Sequence, residues 1–351
     1  MSFKFLQIQH QPSEAVEALL TNNVIGTPGL SMLYQHLGVK QKLYHISKPH
    51  VVSVQRNGQL IGTCVFCERS VDGVTGFYVR YFAFQDSFRL KVLPHQRTQQ
   101  KTSVIRTEII QLLNGEGLLS DRGKTFFHYA YVDPRNPRSA RLCEQFGFVP
   151  VRKYTTRLFS RIWPKQYDHL SVQELPATDE KIQKLLNSFY KDYSHVSFEN
   201  LNKTYYYIKQ DGEIVAGVHV NADAWLVLTL PSANGNLLLN LFDKMPLLSR
   251  LLSKHFKFLA VEGIYYKAGK EKIFEQLLEI LLHRFGLHTA IMVVDTESSL
   301  YRLTQRIDLG LLSKISPEVY GDVIVRYQHA SEAFINQQKG KPAYISVHDV
   351  S

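Results

Sequence analysis

The chain has 351 residues, 44% of them hydrophobic and 21% charged, which excludes disordered and fibrous proteins and predicts two globular domains. No apolar run approaches the length of a membrane span, and the opening MSFKFLQIQH has no apolar signal region. An odd number of cysteines, three, argues against a disulfide framework. We therefore expect a cytoplasmic protein without a membrane partner.

Positive charge is concentrated in the first half of the chain. Residues 1–165 contain 22 Lys and Arg against 10 Asp and Glu, whereas residues 166–351 contain 19 against 21. This basic half predicts an anionic partner, either a nucleic acid or a nucleotide cofactor that carries several phosphates. A solvated basic face is the alternative interpretation.

The first half predicts a hairpin followed by alternating strands and helices. The hairpin at 51–66 turns at Asn57-Gly58, a dipeptide that favours two-residue β-turns. The elements after it are a strand at 76–84, a helix at 101–113, a strand at 125–132 and a helix that ends at Gly147. This order predicts a mixed sheet with helices on its faces.

The second half repeats this order of elements. Its hairpin at 205–220 turns at Asp211-Gly212, 154 residues after the first hairpin turn. The elements after it are a helix at 270–285, a strand at 289–295 and a helix at 298–311. The repeat predicts a duplicated domain, with a boundary near Trp163-Pro164.

We therefore expect three parts in the chain. The first domain spans 1–165, the second spans 166–330, and a polar, loosely docked tail follows at 331–351.

A strand-to-helix turn in the first half carries the most specific pattern, VDPRNPRSARLCEQFGF (132–148). Asn136 is placed as the N-cap of a helix, Pro137 fits its first turn, and Gly147 ends it. The stretch resembles the pattern V-x-P-x-N-x-x-A/S-x-x-L-Y-x-x-x-G-F of GNAT-fold acyl-CoA N-acyltransferases. The matching positions are Val132, Pro134, Asn136, Ser139, Leu142, Gly147 and Phe148.

The resemblance implies a fold and a cofactor. The fold would be α+β, with two tandem GNAT-like domains, each a mixed, mostly antiparallel sheet flanked by helices. The cofactor would be acetyl-CoA or another acyl-CoA, used as the acyl donor. The second half resembles the fold only in outline and is expected to be degenerate.

The resemblance also implies the contacts of the cofactor. The backbone of Phe82, Ala83 and Phe84 would bind the pantetheine arm, and Asn136 and Ser139 would lie beside the pantetheine and pyrophosphate. The phosphates would be bound by Arg89, Arg97 and Lys101, with Thr102 and Ser103 at the start of the next helix. The loop at 90–103 contains no glycine, unlike the family's phosphate loop, so a solvated basic turn is the alternative.

Candidate catalytic residues follow from the same comparison. Cys143 stands where the family has a tyrosine that protonates the departing thiolate; an inert packing thiol is the alternative. His128 and Asp86 are candidate bases; a structural strand histidine is the alternative for His128. In the second half, Tyr301 is a candidate acid and Glu262 a candidate base. A strand residue that faces solvent, or a paired buried carboxylate, is the alternative for Glu262.

Other chemistry has little support in the sequence. Cys64 and Cys67 form a CxxC pair, but residues i and i+3 of a strand point to opposite faces, so the two sulfurs are not expected to share a metal. We find no nucleophile elbow, P-loop or dinucleotide fingerprint.

Three functions remain open from the sequence. The first is an N-acyltransferase that moves an acyl group, expected to be acetyl, from coenzyme A to an amine of unknown identity. The second is a Fem-type transferase with an aminoacyl-tRNA donor, which would suit the basic half; nucleic acid is a less favoured partner. The third is a non-catalytic binding module on the same scaffold.

Overall fold

A computed structural model describes residues 3–85, 104–121, 123–201, 203–231 and 234–350. Thirteen strands within these residues form one sheet. The strands are β1 (Leu6–Gln9), β2 (Leu33–His36), β3 (Pro49–Arg56), β4 (Gln59–Val71), β5 (Val74–Phe84), β6 (Phe126–Val132), β7 (Val149–Ser160), β8 (Val172–Pro176), β9 (Thr204–Gln210), β10 (Glu213–Thr229), β11 (His255–Tyr266), β12 (Thr289–Asp295) and β13 (Val319–Gln328).

Helices of the described residues cover the sheet. They are α1 (Glu14–Thr21), α2 (Val39–His45), α3 (Val104–Leu113), α4 (Pro137–Gln145), α5 (Glu180–Phe189), α6 (Gly235–Lys244), α7 (Glu271–Phe285), α8 (Ser299–Arg306), α9 (Leu311–Ile315), α10 (Glu332–Lys339) and α11 (Val347–Val350). The helix expected at 298–311 is divided into α8 and α9, because Ile307 caps α8 in an extended conformation. None of the described helices is long and apolar enough to cross a membrane.

The predicted α+β class, with a mixed and mostly antiparallel sheet, is confirmed. Parallel pairing occurs between β5 and β6 and between β11 and β12, and the other paired strands are antiparallel. Both predicted hairpin turns are also present. Asn57 and Gly58 have φ values of 53° and 75°, and Asp211 and Gly212 have φ values of 50° and 81°. Positive φ at both central residues is typical of the tight turn that matches the twist of hairpin strands.

The two halves exchange their last strands. The strand order is β1-β3-β4-β5-β6-β13-β7-β12-β11-β10-β9-β8, so β13 lies between β6 and β7, and β7 pairs with β12. Each half-sheet is therefore completed by a strand from the other half of the sequence. The division at 165 and 330 remains a proposal for the domains, because the sheet runs across it.

The two parallel pairs diverge in the same way. The pairing of β5 with β6 ends at Tyr78 and Tyr129, and the pairing of β11 with β12 ends at Ala260 and Ile291. Just beyond these points, each first strand has a bulge with a residue of positive φ. These residues are Tyr81 and Gly263, both with a φ of 56°. For tyrosine this conformation is strained, so the surrounding ladder must hold it in place.

Three apolar clusters form the core. One lies in the second half between the sheet and helices α5 and α7, and another lies behind the first half under α3. The third, which we call the central cluster, is shared between the halves and includes Val65 and Tyr129 as well as Phe258 and Ile291. The halves therefore share one buried interior in addition to one sheet.

The end of the chain belongs to this interior, so the expectation of a loosely docked tail is wrong. Tyr344, Ile345 and Val347 are buried, and α10 is tied to the first half by a 2.9 Å hydrogen bond from Gln338 Nε2 to Asp72 Oδ2. The physical reason is that a short apolar stretch follows the polar helix α10, and burial between the halves removes its side chains from water.

A buried ion pair fixes the last helix. Arg69 donates to both carboxylate oxygens of Asp349 at 2.6 and 2.7 Å, and Tyr78 Oη donates to the Asp349 carbonyl at 3.0 Å. Asn200, from the second half, donates to the same carboxylate at 3.2 Å. Burial alone would raise the pKa of Asp349, but Arg69 and Arg80 hold it below its ordinary value.

Removing one partner of this pair should destabilise the protein strongly. Asp349→Asn leaves the Arg69 guanidinium buried without its counter-charge, so we expect the free energy of unfolding to fall by about 3–5 kcal/mol. The matched control is Glu180→Gln, which breaks an exposed pair with Lys184 and should cost less than about 0.5 kcal/mol. Urea unfolding measures both, and equal losses in the two variants would contradict the assignment.

Buried histidines predict loss of stability in mild acid. Burial lowers the pKa of His128 to about 3 and of His195 and His219 to about 4. Below pH 6.5 the unfolded chain therefore binds protons that the folded chain does not bind. The free energy of unfolding should for this reason fall between pH 6.5 and about 4. Each histidine contributes up to about 1.4 kcal/mol per pH unit.

Urea unfolding at several pH values checks this expectation. His195→Gln should flatten the pH dependence, whereas replacing the exposed His45 by Gln should leave it as in the wild type. A stability that does not change between pH 7 and pH 5 would contradict the prediction.

Candidate functional site

The gap between β5 and β6 is the centre of the candidate site in the first half. Beyond Tyr78 and Tyr129 no register pair joins these two strands within the described residues. The inner edge of β5 therefore offers backbone N–H and C=O groups that β6 does not use. Phe82, Ala83 and Phe84 lie on this diverging part of β5, and Phe82 is 53% exposed. Their contact with a pantetheine arm remains a prediction.

The first turn of α4 lies at the open end of the gap, because α4 begins shortly after β6 ends. Asn136 Oδ1 accepts a hydrogen bond from Ser139 N at 3.1 Å, so the predicted N-cap is present, and Pro137 occupies the first turn. The Arg135 side chain pairs with Asp133 and donates to the Leu30 carbonyl at 3.1 Å. The turn is thereby joined to the loop that precedes β2.

Cys143 lies on α4, one turn after Ser139, and is half-buried. Burial raises the pKa of its thiol to about 11. The thiol is therefore protonated at neutral pH, as a general acid must be, but its raised pKa makes it a weak proton donor. Its role as proton donor remains a proposal.

His128 is a core histidine, which corrects its assignment as a candidate base. The ring is fully buried behind the sheet, stacked on Phe77 at 5.4 Å and edge-on to Phe66 and Phe126 at 5.5 Å. Its Nε2 lies 3.0 Å from the carbonyl oxygen of Leu113. No acceptor amine can reach a ring enclosed in this way.

Several predicted residues lie outside the described part of the chain: Asp86, Arg89, Arg97, Lys101, Thr102 and Ser103. Their roles remain predictions. Cys64 and Cys67 are both described. Cys64 packs against the cluster under α3 and Cys67 lies in the central cluster, as expected for opposite faces of a strand.

A cluster of polar and aromatic residues that the sequence did not reveal faces the bulge of β5. Here β2 adds to the second half-sheet, with His36 opposite Trp225 in β10. The Tyr34 ring stacks on Trp225 at 4.2 Å and lies 5.3 Å from the His36 ring. The cluster thus joins the N-terminal segment of the chain to the second half.

An ion pair between Lys42 and Asp223 completes this cluster. Burial lowers the pKa of Lys42 to about 8, although Asp223 opposes the shift. Burial and the nearby Lys42 and Arg80 hold the pKa of His36 well below its ordinary value. The site therefore contains a neutral imidazole and an amine that is partly deprotonated at slightly alkaline pH.

Three buried polar atoms of this cluster have no hydrogen-bond partner within the described residues. They are His36 Nδ1, Tyr81 Oη and Trp225 Nε1. Leaving a buried polar group unsatisfied costs about 1–3 kcal/mol, so such atoms mark places where water or a ligand binds. No sequence pattern could show the cluster, because Lys42 and Asp223 are 181 residues apart.

The corresponding gap of the second half is filled by the chain itself. Ala343, Tyr344 and Ile345 line the space between β11 and β12 together with Tyr190 and Tyr193. Backbone pairing holds the segment there, with hydrogen bonds of 2.8 Å from Ser194 N to the Pro342 carbonyl and from Tyr344 N to the Ser194 carbonyl. An acyl-CoA could enter only if this segment left.

Both second-half candidates are engaged in structural contacts. Glu262 Oε1 accepts a hydrogen bond from Ser346 Oγ at 2.6 Å and another from His348 N, and burial raises its pKa. Tyr301 Oη lies 3.5 Å from a carboxylate oxygen of Glu318. Glu262 thus anchors the end of the chain, as a paired buried carboxylate.

No protein-family model matches the chain, and neither does any curated protein. Solved structures do match. Saccharomyces cerevisiae N-myristoyltransferase with bound myristoyl-CoA aligns over 93% of this chain and 84% of its own, with 10% identity and a TM-score of 0.57. A GCN5-related glucosamine N-acetyltransferase region of a fungal multi-domain β-N-acetylglucosaminidase aligns over 93% of this chain and 38% of its own, with 10% identity and a TM-score of 0.51.

The chain has the GNAT fold. At this level of identity the likeness concerns the fold alone. The fold expected from the motif at 132–148 is therefore confirmed, whereas the roles of individual residues in a GNAT reaction are not tested by it.

Cys143 can be tested directly as the proton donor of a GNAT reaction. If the thiol protonates the leaving group, Cys143→Ala should lower kcat by about 100-fold or more while the KM for acyl-CoA stays constant. Cys64→Ala, which removes a half-buried thiol from the back of β4, is the matched control. Steady-state kinetics with unchanged turnover in Cys143→Ala would assign that thiol to packing.

Proposed function

We propose that this protein transfers an acyl group from acyl-CoA to an amine, with the first-half gap as the donor site. One observation carries the proposal: within the described residues, β5 and β6 diverge and leave the facing edge of β5 without a backbone partner, whereas the equivalent gap of the second half is filled by residues 343–345. The basic character of residues 1–165 supports a donor with several phosphates.

The donor would bind in extended form along β5. The amides of its pantetheine arm would pair with the free backbone edge near Phe82–Phe84, as an added strand does. Its phosphates would lie near the start of α3, where Arg89, Arg97 and Lys101 are close in sequence. Held in this way, the thioester carbonyl would face the bulge at Tyr81 and the cluster around His36 and Lys42.

The reaction itself requires two proton transfers. The amine nitrogen attacks the thioester carbon, the C–N bond forms and the C–S bond breaks, and the thiolate receives a proton from Cys143. The attacking amine must lose a proton, and we assign this step to Lys42 in its neutral form, with Asp223 setting its pKa. His36 would orient the amine through its unpaired Nδ1.

The identity of the acyl group remains part of the proposal. We propose acetyl, as the sequence suggested. A longer chain is the alternative, since the N-myristoyltransferase that shares the fold was solved with myristoyl-CoA.

Isothermal titration calorimetry with coenzyme A, acetyl-CoA and myristoyl-CoA tests the donor site. We expect micromolar binding that weakens at least 10-fold in Arg97→Ala/Lys101→Ala, because both side chains are assigned to the phosphates. Lys181→Ala/Lys184→Ala removes the same charge from the second half and should bind as the wild type does. Binding that is absent in the wild type, or equal in both variants, would refute this donor site.

The pH dependence of kcat/KM tests the assigned base. With Lys42 as the base, activity should rise with pH through an apparent pKa of about 8 and should be lost in Lys42→Met. Asp223→Asn removes the group that raises the pKa of Lys42, so the rise should move to lower pH. A profile that keeps its midpoint in Asp223→Asn would contradict the assignment even if the activity fell.

The basic first half also keeps the tRNA-dependent transferase under consideration. A protein that ignores coenzyme A but retains tRNA in a salt-dependent way would support that function instead. A protein that binds neither would be a binding module on a GNAT scaffold.

A further inference from the structure

Helix α6 of the second half presents leucines to solvent. Leu237, Leu238 and Leu241 are exposed, Leu237 to 68%, and the exposed Met245 caps the helix. At about 100° per residue these four side chains lie within an arc of about 100° on one side of the helix. We call them the leucine strip.

The strip is distinct from the face that packs on the protein. Leu239, on the other side of α6, is buried in the central cluster, and the close approach of Gly235 to the Leu230 carbonyl leaves no space for a side chain. A helix on the surface of a protein needs one apolar face for packing, and α6 has a second apolar face that is exposed to solvent. Exposed apolar patches of this kind mark interaction sites.

Exposed basic residues lie on α6 and in the chain just after it; we call Lys244, Arg250 and Lys254 the basic rim. Residues 235–257 contain four Lys and Arg but only one acidic residue, Asp243. The exposed Lys244 lies on the helix itself, and Arg250 stacks on the ring of Trp163 at 4.1 Å. Trp163 is 61% exposed, and the segment after α6 adds a further exposed leucine, Leu247.

We propose that the leucine strip and its basic rim form a docking surface for an anionic lipid membrane. A single helix is a convex ridge, which inserts between lipid headgroups more readily than it accommodates a peptide. Lysine and arginine side chains extend from such a ridge to the headgroups, and tryptophan is favoured at the boundary between apolar and polar layers. The excess of cations over Asp243 matches a negatively charged surface.

The proposed docking surface is separate from the proposed acyl-transfer site. It lies on the second half, whose own gap is filled by the end of the chain, and it does not involve the gap between β5 and β6. The membrane contact and the acyl transfer can therefore be tested separately.

Flotation with lipid vesicles tests the proposal on the full-length protein. Vesicles of phosphatidylcholine and phosphatidylglycerol at a ratio of 60 to 40 should bind at least 10-fold more protein than vesicles of phosphatidylcholine alone. Leu237→Ser/Leu241→Ser/Met245→Ser should lower binding to the anionic vesicles at least 10-fold. Lys244→Gln/Arg250→Gln/Lys254→Gln should abolish the difference between the two vesicle types.

The matched control is Val104→Ser/Val149→Ser, which removes two exposed apolar side chains from the first half and should bind within two-fold of the wild type. Thermal unfolding confirms that each variant is folded. Equal flotation of the strip variant and the wild type would overturn the proposal. A wild type that forms dimers through the strip and stays unbound to both vesicle types would overturn it as well.

Discussion

The buried pair between Arg69 and Asp349 holds this molecule in its observed arrangement. Two ions of opposite charge, both removed from water, tolerate little displacement, because separating them would leave each charge uncompensated in an apolar medium. The pair joins a strand of the first half to the last helix of the chain. The position of Arg69 therefore determines where the final residues of the chain lie between the two halves.

Strand exchange adds a second constraint of the same kind. Because β13 completes the first half-sheet and β7 completes the second, neither half can unfold without breaking the ladder of the other. The central cluster crosses the same boundary. The two halves are thus joined into one structural unit by backbone hydrogen bonds and by a shared core.

Local features were predictable from the sequence, and non-local ones were not. The turns at Asn57 and Asp211 and the cap at Asn136 depend on neighbouring residues, so their patterns identified them. The pairing of Lys42 with Asp223 depends on the folded chain and has no local pattern. His128 was placed on the correct strand, but the face of the strand that it occupies is decided by packing.

The two gaps differ in what the chain itself places in them, and this difference bears on function. Backbone groups in a protein interior need partners, and the segment around Ala343 provides apolar filling and backbone pairing next to the gap of the second half. In the first half, the edge of β5 that faces β6 has no such backbone partner beyond Tyr78 among the described residues. We propose that an extended ligand pairs with that edge. A pantetheine arm has the amides to do so, and for this reason we place the proposed donor site in the first half.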